Sequence, residues 1–180
     1  MIFISTLEEV PVAFWKHTYH LVWATKGRQP WILPEFEARL YAYLASKAGE
    51  FDTFLHAIGG KEDHIHLVGS IPPKYAVAAF VKSLKGSSAH FVNHVLCPPG
   101  FHFAWQEGYG SLTVGERQRV IAVEYVLRQK EHHRNGTTNA WLERCEPLPE
   151  YEEETPTDGE SSLREAGVDY GIDPFDAFPF

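Results

Sequence analysis

Cysteine is scarce in this chain: Cys97 and Cys145 are the only two in 180 residues, and neither sits in a CxxC pair. That argues against a zinc–thiolate centre and removes any need for a disulfide framework. Long apolar runs are also missing. None approaches the roughly 18 residues of a membrane-spanning helix. The first residues, Met1-Ile2-Phe3-Ile4-Ser5-Thr6-Leu7-Glu8-Glu9, carry acids and no basic n-region, so a secretory signal is not expected and the cytoplasm is the expected location. Positive charge is short as well, with 16 Lys and Arg against 24 Asp and Glu and a net charge of −8. Such a balance would exclude most nucleic-acid binders if it were uniform, and it is not. Residues 146–180 hold 11 acids and the single base Arg164, so residues 1–145 carry a mild excess of +2 together with all ten histidines.

The chain has ample material for a core: 44% of it is apolar and 14% aromatic. The length fits one domain. The expected division is an N-terminal extension over 1–12, a domain over 13–145 and an acidic tail over 146–180. The tail's prolines, its Glu152-Glu153-Glu154 run and its few aliphatics argue for disorder.

Aromatic and β-branched residues over 13–25 read as a strand. Pro34 opens a helix, with Phe36, Leu40, Tyr43, Leu44 and Lys47 at helical spacing and Gly49 near its end. Strands are expected at 51–58 and 62–70 around a Gly59-Gly60-Lys61 turn. A second helix follows Pro72-Pro73, its apolar stripe formed by Val77, Phe80, Val81, Leu84, Phe91 and Val95. A fourth strand fits 101–107. Thr113 and Glu116 match a capping box for a helix over 114–134, closed by Asn135-Gly136 and striped by Val120, Val123 and Leu127. The order is β-α-β-β-α-β-α: an α+β, ferredoxin-like (RRM-like) split βαβ with an antiparallel sheet and an added C-terminal helix.

Chemistry concentrates in two places. In a strand, Asp63-His64-Ile65-His66-Leu67 turns His64 and His66 to one face and Ile65 and Leu67 to the other. In a helix, Tyr125 and Gln129 of Tyr125-Val126-Leu127-Arg128-Gln129 share a face. Two imidazoles and an amide oxygen can hold a divalent metal and leave positions open for substrate. A tyrosine beside such a metal is placed to attack phosphorus. Taken singly, each feature has a plainer reading: strand histidines satisfying local hydrogen bonds, and a helical tyrosine that only packs.

Several blocks in order resemble the single-tyrosine HUH transposases of the smallest bacterial insertion sequences, the 200/605 type, where HUH denotes two histidines around a bulky apolar residue. They are His20-Leu-Val-Trp-Ala-Thr25 with Lys26-Gly-Arg28-Gln-Pro30, Gly59-Gly-Lys-Glu-Asp63-His64-Ile-His66-Leu67, and Ile71-Pro72-Pro73-Lys74. Leu84-Lys85-Gly86-Ser87-Ser88, Phe103-Ala-Trp105-Gln106-Glu-Gly108-Tyr109-Gly110, and Tyr125 to Gln129 with His132-His133 complete the set. The REP-associated transposases fit less well, since their Met-Pro-Asn-His lead into the histidine pair is absent.

The resemblance implies that His64, His66 and Gln129 ligate Mg²⁺ or Mn²⁺ and that Tyr125 is the nucleophile, forming a 5′-phosphotyrosine on single-stranded DNA with hairpin ends. It implies a homodimer in which the helix bearing Tyr125 exchanges between partners. Asp63 is a candidate to orient an imidazole. Lys82, Lys85, Arg28 and Tyr109 are candidates for DNA contact. Trp23 and Trp105 read as core, and His132 and His133 as helix-end residues facing the macrodipole. Competing functions are a domesticated or inactive relative that binds hairpin DNA without cutting it, and an HUH replication initiator or relaxase.

Overall fold

The computed structural model describes residues 14–97 and 100–145, all within one compact unit, Met1–Glu146. The expectations for 1–12, for Ala13 and for the 146–180 tail lie outside the described residues. Among the described residues, no helix is long and apolar enough to cross a membrane.

Four strands form one sheet: β1 (Thr18–Ala24), β2 (Phe54–Lys61), β3 (His64–Ser70) and β4 (Gly110–Val114). Their spatial order is β2-β3-β1-β4, and every neighbouring pair is antiparallel. With α1 (Pro34–Gly49) joining β1 to β2 and α2 (Val77–Phe91) joining β3 to β4, this is the expected split βαβ arrangement. Both helices cover one face of the sheet. Leu21, Trp23, Ile65 and Leu67 point there and pack with Phe36, Leu40, Leu44, Phe80 and Leu84 in the main core. Large apolar side chains buried in this way contribute about 1.5–3 kcal/mol each.

The strand period of two sends the alternate residues to the opposite face. There Ala57, Val68 and Val114 meet Ala122 and Val126 of α3 (Arg119–Leu127), which runs into α4 (Gln129–Asn135). His20, His64 and His66 are fully buried and share the phase of Val68. One face therefore holds the core and the other holds the histidines.

Several local expectations need correction. The first strand begins at Thr18, not near residue 13. The hairpin turn lies at Glu62-Asp63, and Gly59 and Gly60 belong to β2. A Cβ on Gly59 would collide with the Val126 carbonyl oxygen, and one on Gly60 with that of His64. These glycines allow close approach of α3 and β3 to β2; they do not make the turn. Residues 101–107 alternate like a strand and send Phe101, Phe103 and Trp105 into or against the core, yet form only an isolated bridge, Thr25 to Trp105. Their backbone is held by a side chain instead: the Asn93 amide donates to the Phe103 carbonyl at 2.8 Å and accepts its N–H at 2.7 Å.

The fourth strand is 110–114, which takes Thr113 into the ladder opposite Tyr19, so the capping box does not form. The helix begins after Gln118 without a side-chain cap, and Glu116 pairs with Arg119 at 3.0 Å. Nor is 114–134 one helix: Arg128 (φ −102, ψ 18) separates α3 from α4. The stripe is also rotated. Val120 and Leu127 are exposed, whereas Ala122 and Val126 are buried, because the face that meets the sheet must lie close against Gly59. In α2 the buried stripe runs through Phe80, Val81, Leu84 and Ser88, then Val92 in a wide turn (Val92–Leu96); Val95 is exposed.

Candidate active site

His64 and His66 stand side by side at the start of β3, their ring centroids 5.0 Å apart. Both are buried, and both present Nε2 to the same carboxylate oxygen, Oε2 of Glu143, at 3.2 Å and 3.3 Å. Their Nδ1 atoms are held from behind. Asp63 Oδ1 lies 2.7 Å from Nδ1 of His64, and His20 Nε2 lies 3.0 Å from Nδ1 of His66. Each ring is thus oriented by a partner that leaves Nε2 facing the site. Asp63 was the candidate offered to orient an imidazole. His20 was not anticipated in this role, though its signal was present: a histidine at a buried, site-facing phase of β1.

Tyr125 comes from α3, with its ring centroid 6.0 Å from that of His66. Its hydroxyl donates to Glu143 Oε1 at 2.5 Å and accepts the Asn139 backbone N–H at 3.0 Å. His132 packs against its ring at 4.7 Å. Burial and then the hydrogen bond to the Glu143 carboxylate push the phenol pKa well up, so the isolated site holds Tyr125 as the neutral phenol.

Glu143 was missed by sequence reasoning and is the hub of the site. It is one acid among many, and its only local signal is the pair of apolar neighbours Leu142 and Cys145, both buried. Burial works to raise its pKa, but the hydrogen bonds from His64 and His66 outweigh that and hold it well below the usual carboxylate range. Burial likewise works against protonated His64, yet Asp63 and Glu143 outweigh it and raise that pKa to about 9. His66 moves the other way, lowered chiefly by burial. His20 falls to about 3, through burial and then the proximity of His66.

Of the two readings open for His133, a helix end and an approach to the site, the helix end was preferred, but its Nε2 lies 3.2 Å from Nε2 of His64 and 3.5 Å from Glu143 Oε2. The break at Arg128 and the short α4 bring it there. His64, His133 and Glu143 each offer a ligand atom within 4.8 Å of one another, a spacing suited to a metal ion.

Gln129 is buried at the head of α4, and neither its amide oxygen nor its amide nitrogen has a hydrogen-bond partner. It is near enough to Tyr125 to lower the phenol pKa slightly, but not in hydrogen-bonding geometry with it. An unpartnered buried amide costs about 1–3 kcal/mol, and a bound cation would offset that cost at the oxygen. The donor set of imidazoles, carboxylate and amide oxygen fits a divalent metal. An open cleft of about 400 Å³ lies beside Gln129, lined also by Arg128, Lys130 and Arg134.

The remaining expected contact residues have structural partners. Lys85 Nζ donates to the carbonyls of Gln106 and Gly108 at 2.7 Å and 2.6 Å, pinning that loop. Arg28 donates to the Glu143 carbonyl at 3.3 Å. Tyr109 is half-buried against the main core, and Lys82 and Arg28 are exposed. Trp23 is core, as expected, and Trp105 N–H donates to Ser88 at 2.9 Å.

Residues 13–129 match the family model for the IS200-like transposases. The chain belongs to that family. It is 31% identical over 117 residues to the ISDra2 transposase TnpA of Deinococcus radiodurans, covering 63% of this chain and 84% of that protein. It is 28% identical over 126 residues to the transposase of insertion sequence element IS200 from Salmonella typhimurium, covering 68% and 82%. A putative transposase from Deinococcus radiodurans superposes with a TM-score of 0.52 at 31% identity, over 68% of this chain and 98% of that one. A REP-associated tyrosine transposase bound to a REP hairpin gives the same TM-score of 0.52 at 13% identity, covering 73% and 76%, which shows a shared fold. In this transposase the family match ends at Gln129, so His133 and Glu143 lie beyond it.

Proposed function

We propose that this transposase cuts and rejoins single-stranded insertion-sequence ends, with Tyr125 as nucleophile and a divalent cation, Mg²⁺ or Mn²⁺, held by His64, His66 and Gln129. The observation that supports it best is the meeting of the Tyr125 hydroxyl and both HUH Nε2 atoms on the two oxygens of one carboxylate. When bound, the cation supplies charge neutralisation at the scissile phosphate.

Everything else falls to the chain. Asp63 and His20 keep the two Nε2 atoms directed into the site. Tyr125 Oη forms a bond to phosphorus as the P–O3′ bond breaks. The phenol loses its proton, and the departing 3′ oxygen takes one up to become a hydroxyl. The phosphate keeps its bond to the 5′ oxygen of the downstream strand and is now linked to tyrosine, and attack by another 3′-hydroxyl, which loses its proton as Tyr125 Oη leaves and regains one, rejoins DNA without ATP. Hairpin recognition is proposed from the REP-associated relative, whose structure contains a REP hairpin. Arg134 beside the cleft and the exposed Lys82 are offered for phosphate contact ahead of the pinned Lys85, since Lys130 and Arg128 already pair with Glu37 and Glu124. Action on DNA within the cytoplasm, as a homodimer, completes the reading; light scattering on active protein that shows only monomer would remove the dimer.

The test is cleavage of a labelled single-stranded end oligonucleotide. EDTA and His64→Ala should each abolish it while hairpin binding survives. Full cleavage in EDTA refutes the metal-dependent reading. Binding without cleavage under every metal condition would favour the non-cutting hairpin binder.

A further inference from the structure

Glu143 lies outside the residues matched by the family model, yet its carboxylate is in contact with Tyr125, His64, His66 and His133. We propose that Glu143 couples the nucleophile to the metal: Oε2 is a further donor to the cation held by His64 and His66, while Oε1 holds the Tyr125 hydroxyl. The inference rests on the metal-dependent reading above and adds a ligand and a positioning residue from the segment after the catalytic helix.

Geometry carries the argument. Two donors on adjacent vertices of an octahedron are separated by about 1.4 times the metal–ligand distance, or roughly 3 Å for a bond of about 2.1 Å. The Nε2–Oε2 separations are 3.2 Å for His64 and 3.3 Å for His66, close to such edges. The His133 separations of 3.2 Å to His64 and 3.5 Å to Glu143 close a third corner. Ligand atoms of His64, His133 and Glu143 lie within 4.8 Å of one another, a cation among them would reach His66 through its contact with Oε2, and an ionised carboxylate is the anionic partner a hard divalent ion prefers.

The segment bearing Glu143 is built into the fold. Leu142 and Cys145 flank it and are buried, Cys145 against Val22 and Ala24 of β1. Arg28 donates to the Glu143 carbonyl, and Glu143 N–H donates to the Asn139 carbonyl at 3.1 Å. Gly110 admits the backbone: a Cβ there would strike the Arg144 carbonyl oxygen. Asn139, four residues before Glu143, donates to the same Tyr125 hydroxyl at 3.0 Å. The segment thus grips the nucleophile at two points and places it beside the histidine pair of its own chain.

The test is calorimetric titration of the full chain with Mn²⁺, comparing the parent with Glu143→Ala, Glu143→Gln and His64→Ala. Melting in EDTA establishes that each variant is folded. His64→Ala should abolish binding. Both Glu143 variants should weaken it on the order of 10- to 100-fold, the range seen when groups supporting a metal site are removed. At saturating Mn²⁺, covalent adduct formation should stay slow in Glu143→Ala and recover in part in Glu143→Gln, whose amide oxygen still accepts from Tyr125. Should Glu143→Ala fail to fold, the near-isosteric Gln variant decides alone.

Affinity equal to the parent in a folded Glu143 variant overturns the ligand role. Tighter binding overturns it too, and would make the carboxylate a plug that the metal must displace. Equal adduct rates in the Ala variant and the parent at saturating metal overturn the positioning role. Failure of the underlying reading looks different: the parent binds no Mn²⁺, or His64→Ala binds it as the parent does.

Discussion

Replacing Tyr125 by Phe separates a nucleophile from a packing residue, and the structure sets the size of the effect. The hydroxyl makes two hydrogen bonds, to the Glu143 carboxylate at 2.5 Å and from the Asn139 N–H at 3.0 Å. A bond to a charged group contributes about 1.5–3 kcal/mol and a neutral one about 1 kcal/mol. Tyr125 is half-buried, so water can reach part of what the hydroxyl leaves behind. A net loss of about 2 kcal/mol follows, larger than the roughly 1 kcal/mol expected of a hydroxyl with one ordinary partner. For a domain of this size it corresponds to a melting point lower by on the order of 5–10 °C. The aromatic ring keeps its contacts with His66 and His132, so the variant should still fold and bind DNA. It should form no covalent adduct, because the atom that attacks phosphorus is gone. The assay is a denaturing gel of labelled single-stranded substrate incubated with each protein, beside urea melts of both. An adduct band that persists in Tyr125→Phe refutes the assignment. A stability loss near zero refutes the view that the carboxylate and Asn139 hold the hydroxyl.

Gln129→Leu removes two buried, unpartnered polar atoms, so in EDTA it should stabilise the protein by about 1–2 kcal/mol while metal-dependent cleavage falls sharply; a clear loss of stability in EDTA would mean the amide has partners in the metal-free protein. Metal-free stability should peak near pH 6.5. His64, raised to about 9, contributes fully below its unfolded value near 6.5 and loses that contribution, at most about 3 kcal/mol, as pH climbs through 9. His20, held down to about 3, costs stability in the other direction, because below pH 6.5 the unfolded chain binds a proton that the fold refuses. Urea melts in EDTA at pH 5, 6.5 and 9 check both limbs, and a rise from 6.5 to 9 would contradict the His64 assignment.

The sequence by itself determined the features that depend on neighbours in the chain. The period of two places His64 and His66 on one face and Ile65 and Leu67 on the other, whatever the strand pairs with. Helical spacing after Pro34 found Phe36, Leu40 and Leu44 on the buried face of α1 but not Ala48, and element order was enough for the split βαβ topology. Wherever a local pattern had two physical uses, only the tertiary structure decided between them. The Gly59-Gly60 pair could turn a hairpin or admit a neighbouring backbone, and the nearby carbonyls of Val126 and His64 show the second use. Phe101, Phe103 and Trp105 alternate as in a strand, but the Asn93 side chain, not a partner strand, takes the Phe103 backbone groups. Spacing after Gln129 allowed His132 or His133 to approach the site, but the break at Arg128 that brings His133 to His64 is marked by neither proline nor glycine. Glu143 is the extreme case. It meets His64 and His66 across more than seventy residues of chain, and an acid's identity says nothing about which distant charge will claim it. Periodicity is a property of neighbours along the chain, whereas the closing of this site is a property of contacts that exist only once the sheet, the broken helix and the segment beyond it have packed together.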